Sequence, residues 1–127
     1  MSVLPLTYPL PEELYNQLLK NGLMSLMEDE GSDHWPVAKF VTLDGDEAWL
    51  LTEIDPDDPG KAFALCDDGN GFPELDIVTL SLRDGIPRIG NREVVQVEYF
   101  KAVAPISVYA QAAFREGRIV NVDAVPL

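Results

Sequence analysis

Apolar and polar positions alternate along this chain with two different periods. Pro11-Glu12-Glu13 predicts a helix start, because proline is tolerated in a first turn and acids favour the positive helix end. Leu14, Tyr15, Leu18 and Leu19 follow at helical spacing, and Asn21-Gly22 offers a left-handed stop. Leu23, Met24, Leu26 and Met27 allow a further turn. The run Glu28-Asp29-Glu30-Gly31-Ser32-Asp33 then reads as a solvated loop.

From Pro36 the period changes to two. Ala38, Phe40 and Thr42 share one face of a strand, and Val37, Lys39, Val41 and Leu43 the other. Asp44-Gly45-Asp46 is a turn, and Ala48 to Ile54 completes a hairpin. Asp55-Pro56-Asp57-Asp58-Pro59-Gly60 cannot continue a strand. Lys61 to Asp67 and Leu75 to Leu82 form a second hairpin around Asp68-Gly69-Asn70-Gly71, and Asp84-Gly85-Ile86-Pro87 ends it. Glu93 to Val103 is the longest strand pattern. Pro105-Ile106-Ser107 opens a closing helix with Ser107 as N-cap, Tyr109, Ala112, Ala113 and Phe114 as its apolar stripe, and Gly117 as its stop. Ile119 to Val122 suits a short edge strand. The expected architecture is α+β, with an antiparallel sheet of about five strands, two hairpins plus a long strand. An N-terminal and a C-terminal helix flank it.

Length and composition narrow this further. The 127 residues suit one domain, 1–127, and a 46% apolar share argues against a disordered chain. No apolar run reaches the ~18 residues of a membrane span. The N-terminus lacks a basic start followed by an apolar core, so no signal peptide is expected. With a single cysteine, Cys66, there is no internal disulfide, which favours a reducing, cytoplasmic setting.

Charge changes the functional picture most. The net charge is −13. Residues 1–82 carry seventeen acids against three bases, a net of −14, whereas residues 83–127 are close to neutral at +1. That balance disfavours direct contact with nucleic acid or with an anionic membrane, since both need clustered Lys and Arg. Acids on turns serve solubility; the same field would also speed encounter with a basic protein.

Catalytic signals are sparse. Cys66 alternates with Phe63 and Leu65 as a small core residue does, and the sole histidine, His34, lies far from it in sequence. Asp55, Asp57 and Asp58 in one loop, and Asp67, Asp68 and Asn70 in another, are oxygen donors of the kind hard cations prefer. Neither loop meets the EF-hand pattern. No cofactor is expected. Glu53 ends one strand and Glu74 begins another. If they shared a cleft they would make an acid–base carboxylate pair; otherwise they cap strand ends. Trp35 and Trp49 suit core or rim packing.

Several words of this sequence belong together. They are Pro36-Val37-Ala38-Lys39-Phe40, Trp49-Leu50-Leu51-Thr52-Glu53-Ile54-Asp55-Pro56-Asp57-Asp58-Pro59, Ala62-Phe63-Ala64-Leu65-Cys66-Asp67 and Gly71-Phe72-Pro73-Glu74-Leu75, followed by Tyr99-Phe100-Lys101 and Ser107-Val108-Tyr109-Ala110. In this order they resemble the bacterial family known as domain of unknown function 2958. The chain departs from that pattern at Ala64 and Asp76, and its Arg83-Asp84-Gly85-Ile86-Pro87 connection is shortened. The resemblance implies carriage on plasmids, integrative elements or phages, and it brings no catalytic residues with it.

The resulting expectation is a non-enzymatic acidic binding protein that modulates a basic host protein or nucleoprotein complex. That complex would handle nucleic acid or serve in defence. In the sharpest form the protein is a DNA mimic whose carboxylates stand where phosphates would. The candidate binding residues are Asp44, Asp46, Glu47, Asp55, Asp57, Asp58, Asp67 and Asp68. A small hydrolase or cation-dependent enzyme using Glu53 and Glu74 is one alternative. A structural homodimer is another.

Overall fold

The computed structural model describes residues 10–28 and 32–124. Its elements are α1 (Glu12–Met27), β1 (Ala38–Thr42), β2 (Ala48–Ile54), β3 (Lys61–Asp67), β4 (Glu74–Arg83), β5 (Ile86–Ile89), β6 (Arg92–Gln96) and α2 (Ile106–Glu116). All six strands are antiparallel to their neighbours, and β6 pairs with β1 to close a barrel. The α+β class and both hairpins follow the sequence pattern. The number of strands and their closure do not.

Three corrections explain the difference. The pattern from Glu93 to Val103 is not one long strand: β6 ends at Gln96, and a tight turn follows, with Phe100 N donating to Val97 O. The segment holding Pro87 is a strand, paired with the far half of β4 through Leu82↔Pro87 and Leu80↔Ile89. Residues 119–122 lie outside any strand. Closure leaves no free sheet edge, which removes the liability of unpaired strand groups.

The helix also differs from expectation. Asn21-Gly22 does not stop α1, which runs to Met27. Gly22 lies inside it because α1 presses on the β2–β3 hairpin there: a Cβ would sit 2.0 Å from Ile54 O. Asn21 is buried beside it and donates from Nδ2 to Thr52 O at 2.9 Å.

Two cores result. Inside the barrel, Phe40, Leu51, Ile54, Leu80, Ile89 and Val94 pack with Leu18 from α1. On the outer side of β2 and β3, Leu50 and Leu65 pack under Tyr109, Ala110 and Ala113 of α2. Each of these buried leucines contributes about 1.5–3 kcal/mol of hydrophobic stabilisation. The strand period assigns the two cores. Ala62, Ala64 and Cys66 turn inward, while Phe63 and Leu65 turn outward.

The two ends of α2 are held differently. Gly117 stops it in a left-handed conformation, as the sequence predicts. At its start Ser107 is not the N-cap; Pro105 is, and no side chain of its own caps the helix. Asp33 does this from a distance, accepting from Ser107 N at 3.0 Å and Ser107 Oγ at 2.5 Å. This part of the acidic run is therefore a helix cap rather than a solvated loop, while Asp29 and Glu30 lie outside the described residues.

Candidate functional site

Antiparallel order decides where the acidic loops fall. The β1–β2 turn, with Asp44, Asp46 and Glu47, and the β3–β4 turn, with Asp67 and Asp68, lie at the same end of the β1–β4 sheet. They touch: a Cβ on Gly69 would lie 2.9 Å from Asp46 O. The β2–β3 loop, with Asp55, Asp57 and Asp58, lies at the other end, about 20 Å away along a seven-residue strand. The eight candidate residues thus form two groups, five at one end and three at the other.

Within the larger group the side chains do different work. Asp44 Oδ1 accepts from Thr42 Oγ1 at 2.6 Å and from Asp46 N at 3.0 Å. These bonds, the threonine hydroxyl foremost, hold the Asp44 carboxyl below its ordinary pKa of 3.8. Asp46 is exposed, and its carboxylate meets no donor among the described residues. Asp68 is exposed and accepts from its neighbour Asn70. Glu47 is neutralised by Arg92, whose Nε lies 2.6 Å from its Oε2. Asp67 is buried, and its two oxygens accept from Gly69 N at 3.0 Å and Ile119 N at 2.9 Å. It therefore anchors the C-terminal segment and offers no carboxylate to a partner.

Glu74 and Asp76 add to this end, which the sequence did not indicate. They pair with Cys66 and Ala64 across β3 and stay exposed. Burial pushes the Cys66 thiol up to about 12, and the charges of Asp76, Glu74 and Asp68 push it in the same direction. A thiol in that setting stays protonated and is no nucleophile.

The alternative pair, Glu53 and Glu74, does not form. Glu53 pairs with Phe63 and Glu74 with Cys66. Those β3 residues are three apart, so the two carboxylates leave opposite faces of the sheet.

Glu53 instead joins a cluster that no sequence spacing suggested. Ser25 Oγ, on α1, donates to Glu53 Oε1 at 3.1 Å and lies 3.0 Å from His34 Nε2. The serine has one proton for two neighbours, the Glu53 carboxylate and the His34 ring nitrogen. The cluster ties α1, β2 and the loop before β1 together. Among the described residues, no group of three His, Cys, Asp or Glu side chains is placed to hold a metal ion. None of the described helices is long and apolar enough to cross a membrane.

Two grooves flank α1. One, of about 810 Å³, is lined by Lys20, Met24, His34, Trp35, Tyr99 and Lys101 among others. The other, of about 510 Å³, lies between Leu26, Glu53, Phe63 and Ile77. Trp49 is buried in the barrel, whereas Trp35 stands at the rim of the first groove, 44% exposed.

This architecture, a small closed barrel with two helices, carries most of its candidate acids on turns. Residues 9–120 match the family described as "Protein of unknown function (DUF2958)", and the chain belongs to that family. Comparison with curated proteins and with solved structures returned no match.

Proposed function

We propose that the protein is a non-enzymatic binding protein whose acidic turn end engages a basic partner, a host protein or complex that handles nucleic acid or serves in defence. The observation that carries this is the contact between the two acidic turns. It brings the turn of the exposed Asp44 and Asp46 against the turn of the exposed Asp68, and Asp68, Glu74 and Asp76 all act on Cys66. Among the described residues no ion pair is formed by these five acids, and only Asp44 feels a nearby cation, Arg92, which is itself paired with Glu47. Their turn backbones are preset by side-chain bonds such as Asp44 to Asp46 N and Asp68 to Asn70 N. Little ordering cost therefore remains on binding.

In its sharper form, these carboxylates occupy an Arg/Lys groove that would otherwise take phosphates. Asp55, Asp57 and Asp58, at the far end, make a separate patch that contributes to the long-range field only.

The test is affinity capture from a host lysate at low salt with the wild type and with an Asp44→Asn/Asp46→Asn/Asp68→Asn variant. A basic protein retained by the wild type and lost by the variant supports the reading. Equal recovery by both, or no basic protein at all, overturns it.

A further inference from the structure

The second half of α1 turns its polar residues Asn21 and Ser25 towards the barrel and leaves its large apolar residues outside. Leu18, Asn21 and Gly22 turn inward. Leu23, Met24, Leu26 and Met27 turn outward and are 52%, 41%, 62% and 84% exposed. A surface helix normally keeps polar residues on its outward face, the reverse of this arrangement.

The exposed face extends beyond the helix in both directions. Met24 lines one groove with Trp35 and Tyr99, and Tyr99 is 90% exposed. Leu26 lines the other groove with Ile77, which is 64% exposed. On the Met24 side, Leu23, Met24, Met27, Trp35 and Tyr99 present on the order of 700 Å², close to one partner's share of a standard interface and more than monomers usually leave bare.

The helix itself brings no carboxylate to this face, and Glu53, in the groove beside Leu26, is held by Ser25 Oγ. No acid occurs from Leu14 to Met27, in a chain that carries 22. Two copies at −13 each can approach only through such a region. Lys20, Lys61 and Lys101 stand around it with the acids Asp33, Asp55, Asp58 and Glu98, and Glu28 lies at the end of the helix.

We propose that this face joins two copies of the chain, with their α1 helices packed antiparallel across a two-fold axis at Met24. The rim charges select a second copy over an unrelated partner. Antiparallel pairing about Met24 sets each residue against the one equally far on the other side of 24. Lys20 of each copy then meets Glu28 of the other, so two opposite-charge contacts close the two ends of the helix pair. Both residues are exposed, and the Glu28 carboxylate is already oriented by Ser32 Oγ. This contact is separate from the acidic turn end and stands or falls without it.

Light scattering after size exclusion tests the proposal. The wild type should show twice the 14.0 kDa chain mass. Met27→Glu should return a single-chain mass with an unchanged circular dichroism spectrum, since that side chain is already exposed. Lys20→Glu should weaken association about tenfold, and adding Glu28→Lys should restore it. In a Cys66→Ser background, Met24→Cys should give a disulfide-linked dimer on oxidation. A wild type that stays a single chain at every concentration, or a dimer that survives Met27→Glu, overturns the interface. Failure of Glu28→Lys to rescue Lys20→Glu overturns the antiparallel register.

Discussion

Gly22 shows how one residue can carry two opposite messages. In sequence, Asn21-Gly22 reads as a helix stop. In the folded chain it is the point of closest approach between α1 and the barrel, where a Cβ would meet Ile54 O at 2.0 Å and Pro56 Cδ at 3.1 Å. Gly22→Ala should gain about 1 kcal/mol of helix propensity and lose about 3 kcal/mol or more to the clash. The net effect, a lower thermal midpoint, is opposite to what an exposed helix position would give, and thermal denaturation measures it directly. Asp44 carries a second prediction at this scale. Its folded pKa lies below the unfolded 3.8, so its hydrogen bonds contribute stability above that pH and lose it as pH falls through the folded value. Thr42→Val removes the leading cause, and the NMR titration midpoint of Asp44 should rise towards 3.8. Cys66 is the third. With the thiol raised to about 12, alkylation of the native protein near neutral pH should be far slower than after denaturation.

At the scale of elements, legibility depended on how local the cause was. The two hairpins were readable because alternation and the turns at Asp44-Gly45 and Asp68-Gly69 lie within a few residues of each other. The third hairpin was not. Pro87 cannot donate to a ladder, so its segment reads as a break; it is tolerated because β6 pairs with β5 only at Arg88 and Ile89, leaving no ladder beside Pro87 on that side. Strand β6 ends early because the chain must leave the barrel wall to reach α2, a requirement that alternation does not encode. The cap of α2 was equally hidden, since Asp33 is 74 residues from Ser107. Asp33→Ala should cost about 1 kcal/mol, the usual value of an N-cap, read as a shift in the denaturant midpoint. Asp67→Ala should cost more, about 1–3 kcal/mol, because it removes the buried carboxylate that accepts from the amides of Gly69 and Ile119.

For the whole molecule, the sequence showed how much acid there was but not where it would gather. The count placed the excess in residues 1–82, and the fold divides it between two ends. Asp67 reads like its neighbour Asp68 but is buried, Glu47 is paired with Arg92, and Glu74 and Asp76 join the end that the turns begin. The Ser25–His34–Glu53 cluster escaped notice because three elements supply it from separate parts of the chain. What remains for the proposed working surface is one negative end of the barrel. The most direct measurement is the association rate of the captured basic partner as a function of ionic strength. The account predicts a rate that falls steeply with added salt for the wild type, and a slower, nearly salt-independent rate for Asp44→Asn/Asp46→Asn/Asp68→Asn. Identical rates and salt slopes for the two proteins would contradict it.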